Sequence, residues 1–304
     1  MTEDSLAIAR RDTLAAASDG DHFSPGDALP TAKGSAAAAG SAPSSLKDIS
    51  LRYALFSDVH ANLPALDAVL EDVRSRARAD AIYHLGDLVG YGASPNEIVE
   101  RIDVWRVPGV AGNYDSTVAA DYEHCGCRSE SPRQEELAQV SYAWTQSRVS
   151  RRTKALLAGL PFRIDLKPLG GHAPGPTVTL LHATPTNNLV YVTEDRADEF
   201  LAKMARQAGL RAGDVLCFGH THKPWHRVVD GVLFVNTGSV GRPKDGDPRA
   251  AYVVLDVGGE SADAEVVRVP YDVEAAAASI KAAGLPDDFA DFLRTGGRPV
   301  ESGV

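Results

Sequence analysis

The sequence predicts an α/β fold in which two β-sheets pack together with helices outside. Two observations carry this expectation. From Leu51 onward, short apolar or β-branched runs alternate with amphipathic segments of helical period. Further along, strand-like runs follow one another with fewer helices between them, as a second sheet would require.

Taken in order, "LRYALFS" reads as a first strand. "LPALDAVLEDVRSRARA" follows with Leu63, Leu66, Val69, Leu70 and Val73 at helical spacing. "AIYHL" is a second strand. "SPNEIVERIDV" is a helix with Ser94 as N-cap and Pro95 at its first position. "VPGVAG" reads as a third strand, completing a βαβαβ start that favours a right-handed parallel arrangement. Residues 133–158 have a helical pattern. The remaining strands are "TVTLLHA", "DVLCFGH", "VLFVNTGSV", "AAYVVLDV" and "AEVVRVPYD".

Residues 1–48 differ in kind. "SDGDHFSPGDALPTAKGSAAAAGSAPSS" is rich in Ala, Gly, Ser and Pro, and it lacks the apolar surface needed to offset the entropy of ordering. The expected organisation is therefore a flexible tail over 1–48 and one folded domain over 49–304. The net charge of -10 and pI near 5.4 exclude a surface built to coat nucleic acid through phosphate contacts. An anionic substrate must then be drawn in locally, a role that metal ions fill. No apolar run approaches the ~20 residues of a membrane span, and "MTEDSLAIARRDTL" lacks the apolar core of a secretory signal. Three cysteines, Cys125, Cys127 and Cys217, are too few for a disulfide framework, so a cytoplasmic protein is expected.

Polar residues gather at the ends of the expected strands. "FSDVHAN" places Asp58 and His60 two apart, and alternate residues of an extended chain project to one side. "HLGDLVGYG" supplies Asp87, "VAGNYD" Asn113 and "LLHATP" His182, while "GHTH" repeats the two-apart device with His220 and His222. The carboxyl ends of strands are where open α/β sheets put their sites. Gly86, Gly112 and Gly219 each precede one of these residues, leaving room for a turn and an ion. If Asp87 bridges, one ion takes Asp58, His60, Asp87 and His222, and a second takes Asp87, Asn113, His182 and His220. Such a pair, ~3.5–4 Å apart, suits activation of water for in-line attack on a phosphoryl group. The mixed imidazole, carboxylate and amide set suits Mn, Fe, Zn or Co, and leaves the choice among them open.

D-x-H, G-D, G-N-x-D, a lone histidine after a strand and G-H-T-H, in that order, resemble the calcineurin-like metallophosphoesterase superfamily. "NTGSVGRPKDGDPRAAY" is similar to its small bacterial phosphodiesterase branch, and the likeness runs from about Leu51 to Tyr271. The resemblance implies a four-layer αββα sandwich of two mixed sheets flanked by helices, and metal ligation by the seven residues above. It also implies hydrolysis of phosphate esters, above all diesters, by direct attack of metal-bound hydroxide, because no covalent nucleophile stands in the motifs. A small phosphate ester is the expected substrate. Neither a membrane nor an extended nucleic acid is expected as partner, and self-association is left open. The alternatives are a phosphomonoesterase, a diadenosine polyphosphate or protein phosphatase, and a metal-binding scaffold with little activity.

One position departs from the pattern. Where many members carry a histidine after the motif asparagine, this sequence has Tyr114, and a phenol of pKa ~10 is a poorer acid than imidazole at neutral pH. Asp115, which in the family orients that histidine, is expected to orient Tyr114. Asn62 stands at a site-facing family position and is expected to contact phosphate, and Tyr91 in "GYG" is a candidate substrate contact. His84 reads as a packing residue within its strand. His22, His124, His172 and His226 have no evident partner and read as surface groups. Cys125-Gly126-Cys127 beside His124 lacks a second thiol pair and reads as a loop rather than a zinc site.

Overall fold

Strand β1 (Ser50–Phe56) threads the centre of the protein, with Ala54, Leu55 and Phe56 fully buried. The computed structural model describes residues 50–126, 131–167, 175–259 and 261–298. The tail assigned to 1–48, together with His22, His172 and Cys127, lies outside the described residues. β1 pairs in parallel with β2 (Ala81–His84) and antiparallel with β8 (Ala250–Gly258), which pairs antiparallel with β9 (Ser261–Val269). The order β2-β1-β8-β9 makes one mixed sheet. The second has the order β3-β4-β5-β7-β6, from Arg163–Leu166, Val178–Leu181, Val215–Phe218, Val232–Asn236 and Trp225–Val229 respectively.

The strands alternate their side chains between two environments, as the pleat requires. Tyr53, Leu55, Val253 and Leu255 of the first sheet meet Leu180, Val215, Cys217 and Val235 of the second in the inter-sheet core. Ala54, Phe56, Tyr252 and Val254 face the other way. There they cover α1 (Leu63–Asp72), α2 (Pro95–Trp105) and α5 (Arg151–Ala158). On the far side Leu216, Phe218 and Phe234 pack against Leu201, Met204 and Ala205 of α6 (Asp198–Ala208). The result is the four-layer αββα sandwich of two mixed sheets. Each buried Leu, Val or Phe contributes on the order of 1.5–3 kcal/mol. Among the described residues no helix is long and apolar enough to cross a membrane.

Three elements depart from the sequence-based expectation. The expected strand at "VPGVAG" is reduced to a single parallel bridge between Gly109 and His84. Pro108 offers only its carbonyl, which accepts from His84 N, and the chain turns into α3 (Asn113–Ala119) two residues after Ala111. The helical stretch at 133–158 is two helices, α4 (Pro132–Arg148) and α5. Val149 and Ser150 adopt extended backbone between them, and the Ser150 hydroxyl caps α5 through Thr153 N at 3.1 Å. Helix α1 ends in a π turn at Val73–Ala77. Ser94 precedes α2 as expected, with Pro95 first in the helix, although the Ser94 side chain makes no cap hydrogen bond. After β9 the chain forms an αα-hairpin, α7 (Val273–Ala282) and α8 (Asp287–Thr295), packed through Ile280, Leu285, Phe289 and Leu293.

Candidate metal centre

Two groups of buried side chains meet where β1, β2, β4 and β5 end. Asp58, His60 and His222 form one, and Asp87, His182 and His220 the other, each with its donor atoms within 4.8 Å of one another. Their backbone conformation was not legible as simple strand alternation. Asp58 (φ 53°), His60 (47°), Asp87 (54°), His220 (68°) and His222 (61°) are all left-handed, so each lies in a tight turn beyond its strand rather than in an extended run. Left-handed backbone at a non-glycine residue costs ~1–2 kcal/mol and persists where surrounding structure imposes it.

The surroundings do impose it. Asp58 N donates to Gly86 O (2.9 Å), and His60 N to Asp87 O (3.0 Å), tying the turn after β1 to the turn after β2. Both oxygens of Asp115 accept backbone amides, from Leu88 (2.9 Å) and Gly112 (3.0 Å), binding the turn after β2 to the start of α3. The expectation that Asp115 orients Tyr114 is corrected by this arrangement: the carboxylate orients the loop that carries Asp87. The glycines serve close chain crossing rather than room for an ion. A Cβ on Gly86 (φ +90°) would run into the Gly112 backbone, and one on Gly112 into the Asp87 carboxylate.

Hydrogen bonds fix which atoms face inward. His60 Nδ1 lies 3.0 Å from Val89 O, His182 Nδ1 2.7 Å from Leu85 O and His222 Nδ1 2.5 Å from Arg242 O. A carbonyl only accepts, so each Nδ1 carries the proton and each Nε2 presents a lone pair. The lone pairs of His60 and His222 then face each other at 3.2 Å, while His182 Nε2 faces His220 Nδ1 at 3.1 Å and Asn113 Oδ1 at 3.2 Å. Acceptors that face each other in this way, His60 with His222 and His182 with Asn113 Oδ1, repel unless a cation lies between them. Two nitrogens bound tetrahedrally to one ion at ~2.0–2.1 Å stand ~3.3 Å apart, close to what is seen.

The carboxylates complete the two sets. Asp58 Oδ2 accepts from Ser57 Oγ (2.6 Å) and His220 N (2.9 Å), whereas Oδ1 is buried without a hydrogen-bond partner, 3.3 Å from His222 Nε2. Asp87 Oδ1 accepts from Tyr114 N at 2.9 Å, and its Oδ2 lies between the groups, 3.5 Å from His182 Nε2 and 3.8 Å from His60 Nε2. Burial pushes the Asp58 carboxyl up to about 7, with the neighbouring Asp87 charge adding to the rise and His182 opposing it. Burial likewise raises Asp87 well above the usual carboxylate range and holds His60, His220 and His222 well below 6.5. The imidazoles thus resist protonation while the two buried carboxyls favour it, so the cavity disfavours uncompensated charge of either sign. A divalent cation, by neutralising the carboxylates and taking the imidazole lone pairs, suits the donor set.

Around this centre the aromatic residues are ordered. Tyr114 is buried edge-on to His60, with ring centroids 5.5 Å apart, and touches Tyr91 and Tyr142. Its hydroxyl is buried and makes no hydrogen bond of good geometry among the described residues, although Tyr91 and Ser141 stand close enough to interact with it. Burial raises its pKa well above 10, with Tyr91 adding to the rise and Ser141 opposing it. Asn62 is turned away from a phosphate role because all its polar atoms are spent. Oδ1 caps α1 through Ala65 N (3.2 Å), while Nδ2 donates to Gly241 O (3.0 Å) and Tyr271 OH (3.2 Å). Tyr91 lines the crevice beside His60, as does Arg242, a residue that sequence reasoning passed over within "GSVGRPKDG". His84 is buried as a packing residue, and His124 and His226 are exposed. Cys125 is buried, and its carbonyl accepts from Asn113 Nδ2 at 3.3 Å.

Residues 51–260 match the model of the calcineurin-like phosphoesterase superfamily domain. An uncharacterized protein of Methanocaldococcus jannaschii, MJ0912, is 30% identical over 264 residues, 80% of this chain and 97% of that protein. Phosphodiesterase YfcE of Escherichia coli is 26% identical over 210 residues, 66% of this chain and 84% of its own length. Among solved structures, a metallophosphoesterase from Sphaerobacter thermophilus superposes with a TM-score of 0.62 at 27% identity, over 82% of this chain and 100% of that one.

Proposed function

The chain belongs to the calcineurin-like phosphoesterase superfamily and is a metal-dependent hydrolase of phosphate esters; from that premise we propose a dinuclear centre that cleaves small phosphodiesters by direct attack of water on phosphorus. Asp58, His60 and His222 would hold one ion and Asn113, His182 and His220 the other, with Asp87 placed to serve both. The observation that carries this reading is the position of Asp87 Oδ2, between His182 Nε2 (3.5 Å) and His60 Nε2 (3.8 Å). When bound, the ions lower the pKa of coordinated water and neutralise charge developing on the phosphoryl oxygens.

The protein's own groups set the rest. Ser57 and the His220 amide occupy Asp58 Oδ2 and so commit Oδ1 to the centre. The three imidazole-to-carbonyl hydrogen bonds fix the Nδ1–H tautomer of the neutral rings, which turns their Nε2 lone pairs toward the centre. Tyr114, with its raised pKa and buried hydroxyl, is badly placed to protonate a departing alkoxide, so turnover falls steeply as the leaving group becomes more basic. Metal analysis of the reconstituted protein tests the reading together with hydrolysis of bis(p-nitrophenyl) phosphate and p-nitrophenyl phosphate. About two ions per chain and faster diester cleavage are expected. A single ion per chain would refute the dinuclear centre, and faster monoester cleavage would refute the diester assignment.

A further inference from the structure

The loop between β7 and β8 carries a cation with no counter-charge among the described residues. The guanidinium of Arg242 is clamped between two aromatic faces, 4.0 Å from the centroid of Tyr91 and 3.8 Å from that of Phe292 in α8. Among the described residues no carboxylate pairs with it and no acceptor takes a hydrogen bond from its side chain. Its backbone is fixed at the metal centre: Arg242 N donates to Ser239 Oγ (2.8 Å), and Arg242 O receives His222 Nδ1 (2.5 Å). The side chain lines the same crevice as His60, whose other wall is Ala276, Ser279, Ile280, Phe289 and Leu293 of the C-terminal hairpin, apolar except for Ser279 and without a charged group. The loop itself is braced, because Gly246 N donates to Gly296 O (2.8 Å) at the end of α8 and Arg268 pairs with Asp245.

A half-buried guanidinium held by its faces keeps its edge donors unspent, and a cation withdrawn from water without a partner is costly. In a chain of net charge -10 it is also conspicuous that none of the carboxylates among the described residues pairs with it. We propose that Arg242 is a substrate-binding residue whose guanidinium engages an anionic phosphoryl oxygen of the ester at the metal centre. Phe292, by clamping it, makes the C-terminal helix part of the substrate site. This rests on the phosphoesterase reading above. It gives the site a fixed positive charge beyond the metals, in a chain where Tyr114 stands in place of a cationic imidazole.

Inorganic phosphate, titrated calorimetrically into the metal-loaded protein, serves as the probe, with metal content measured on every sample. Arg242→Met is expected to keep the wild-type metal content and to bind phosphate at least about 10-fold more weakly, the loss typical of a charge-assisted hydrogen bond. Arg242→Lys, which keeps the charge but not the planar fork, should fall between the two. Phe292→Leu should weaken binding about two- to fivefold by releasing the clamp. Phosphate affinity within twofold of wild type in Arg242→Met would overturn the proposal. So would loss of an ion from both Arg242 variants, because it would assign the residue to support of His222. The dinuclear reading fails separately, through fewer than two ions in the wild-type protein, and the ratio of phosphate affinities still decides the role of Arg242.

Discussion

Replacing Tyr114 by phenylalanine removes one oxygen and separates two roles that the sequence leaves entangled. The ring is 1% exposed and packs against His60, Tyr91 and Tyr142, contacts that phenylalanine keeps. The hydroxyl is buried and makes no hydrogen bond of good geometry among the described residues, only weaker contacts with Tyr91 and Ser141. Burying such a group costs ~1–3 kcal/mol, so Tyr114→Phe should leave stability unchanged or raise it by about 1 kcal/mol, a Tm rise of ~2–4 °C for a domain of this size. If the hydroxyl were the general acid, its loss should cost ~10²–10⁴-fold in kcat on esters with basic leaving groups. The geometry predicts instead a change below about threefold, with metal content unaltered. The assay is a series of phosphodiesters of graded leaving-group pKa, run on both proteins with the same metal, beside thermal unfolding of each. A hundredfold loss confined to the poor leaving groups would refute the reasoning, and so would a drop of several degrees in Tm. Tyr114→His should have the opposite effect on the same series, speeding the alkyl esters preferentially at some cost in stability from the lost aromatic packing.

Asp87→Asn should reduce metal content at both sites together, since one carboxylate serves both groups; loss of a single ion by metal analysis would exclude the bridge. Gly112→Ala forces a methyl group into the Asp87 carboxylate, so weaker metal retention and destabilisation of ~2 kcal/mol or more are expected from denaturant titration. His84 is fully buried with neither ring nitrogen hydrogen-bonded, and burial lowers its pKa to about 3. The unfolded chain therefore takes up this proton first. The folded state keeps its full stability above pH ~6.5 and loses about 2 kcal/mol from this group by pH 5. His84→Leu should be near neutral at pH 7 and should remove that acid-side loss, and parallel stability curves for variant and wild type between pH 7 and 5 would disprove it.

Most of the strands, the helices α1 and α2 and the seven polar residues of the centre were legible in the sequence because these are local signals, whereas β3, β6, α3 and α6 went unread. Apolar runs such as "YALF" and "VLCF" declare strands, and a short polar motif after each declares a strand end. The third strand was misread because "VPGVAG" has strand composition, whereas its pairing is limited by Pro108 and by the early start of α3, and pairing is a property of neighbours. The C-terminal helices went unread although α8 has Phe289, Leu293 and Phe292 at helical spacing, a pattern open to inspection.

What the sequence by itself determined was the set of donors, since D-x-H, G-D, G-N and G-H-T-H name the atoms able to hold a metal wherever they are brought together. Only the tertiary structure decided how they meet. Five of those residues turn left-handed beyond their strands, three imidazoles give their Nδ1 protons to carbonyls, and Asp87 Oδ2 comes to lie between the two groups. The tertiary structure likewise committed Asn62 to a helix cap and to Gly241, gave Asp115 to two backbone amides, and left Arg242 between two aromatic rings with no carboxylate beside it among the described residues. The physical reason is that a hydrogen-bonding group is defined by its partner. Asn62 and Gly241 stand 179 positions apart in the chain, a separation across which composition and local period carry no information, and folding alone chooses the match.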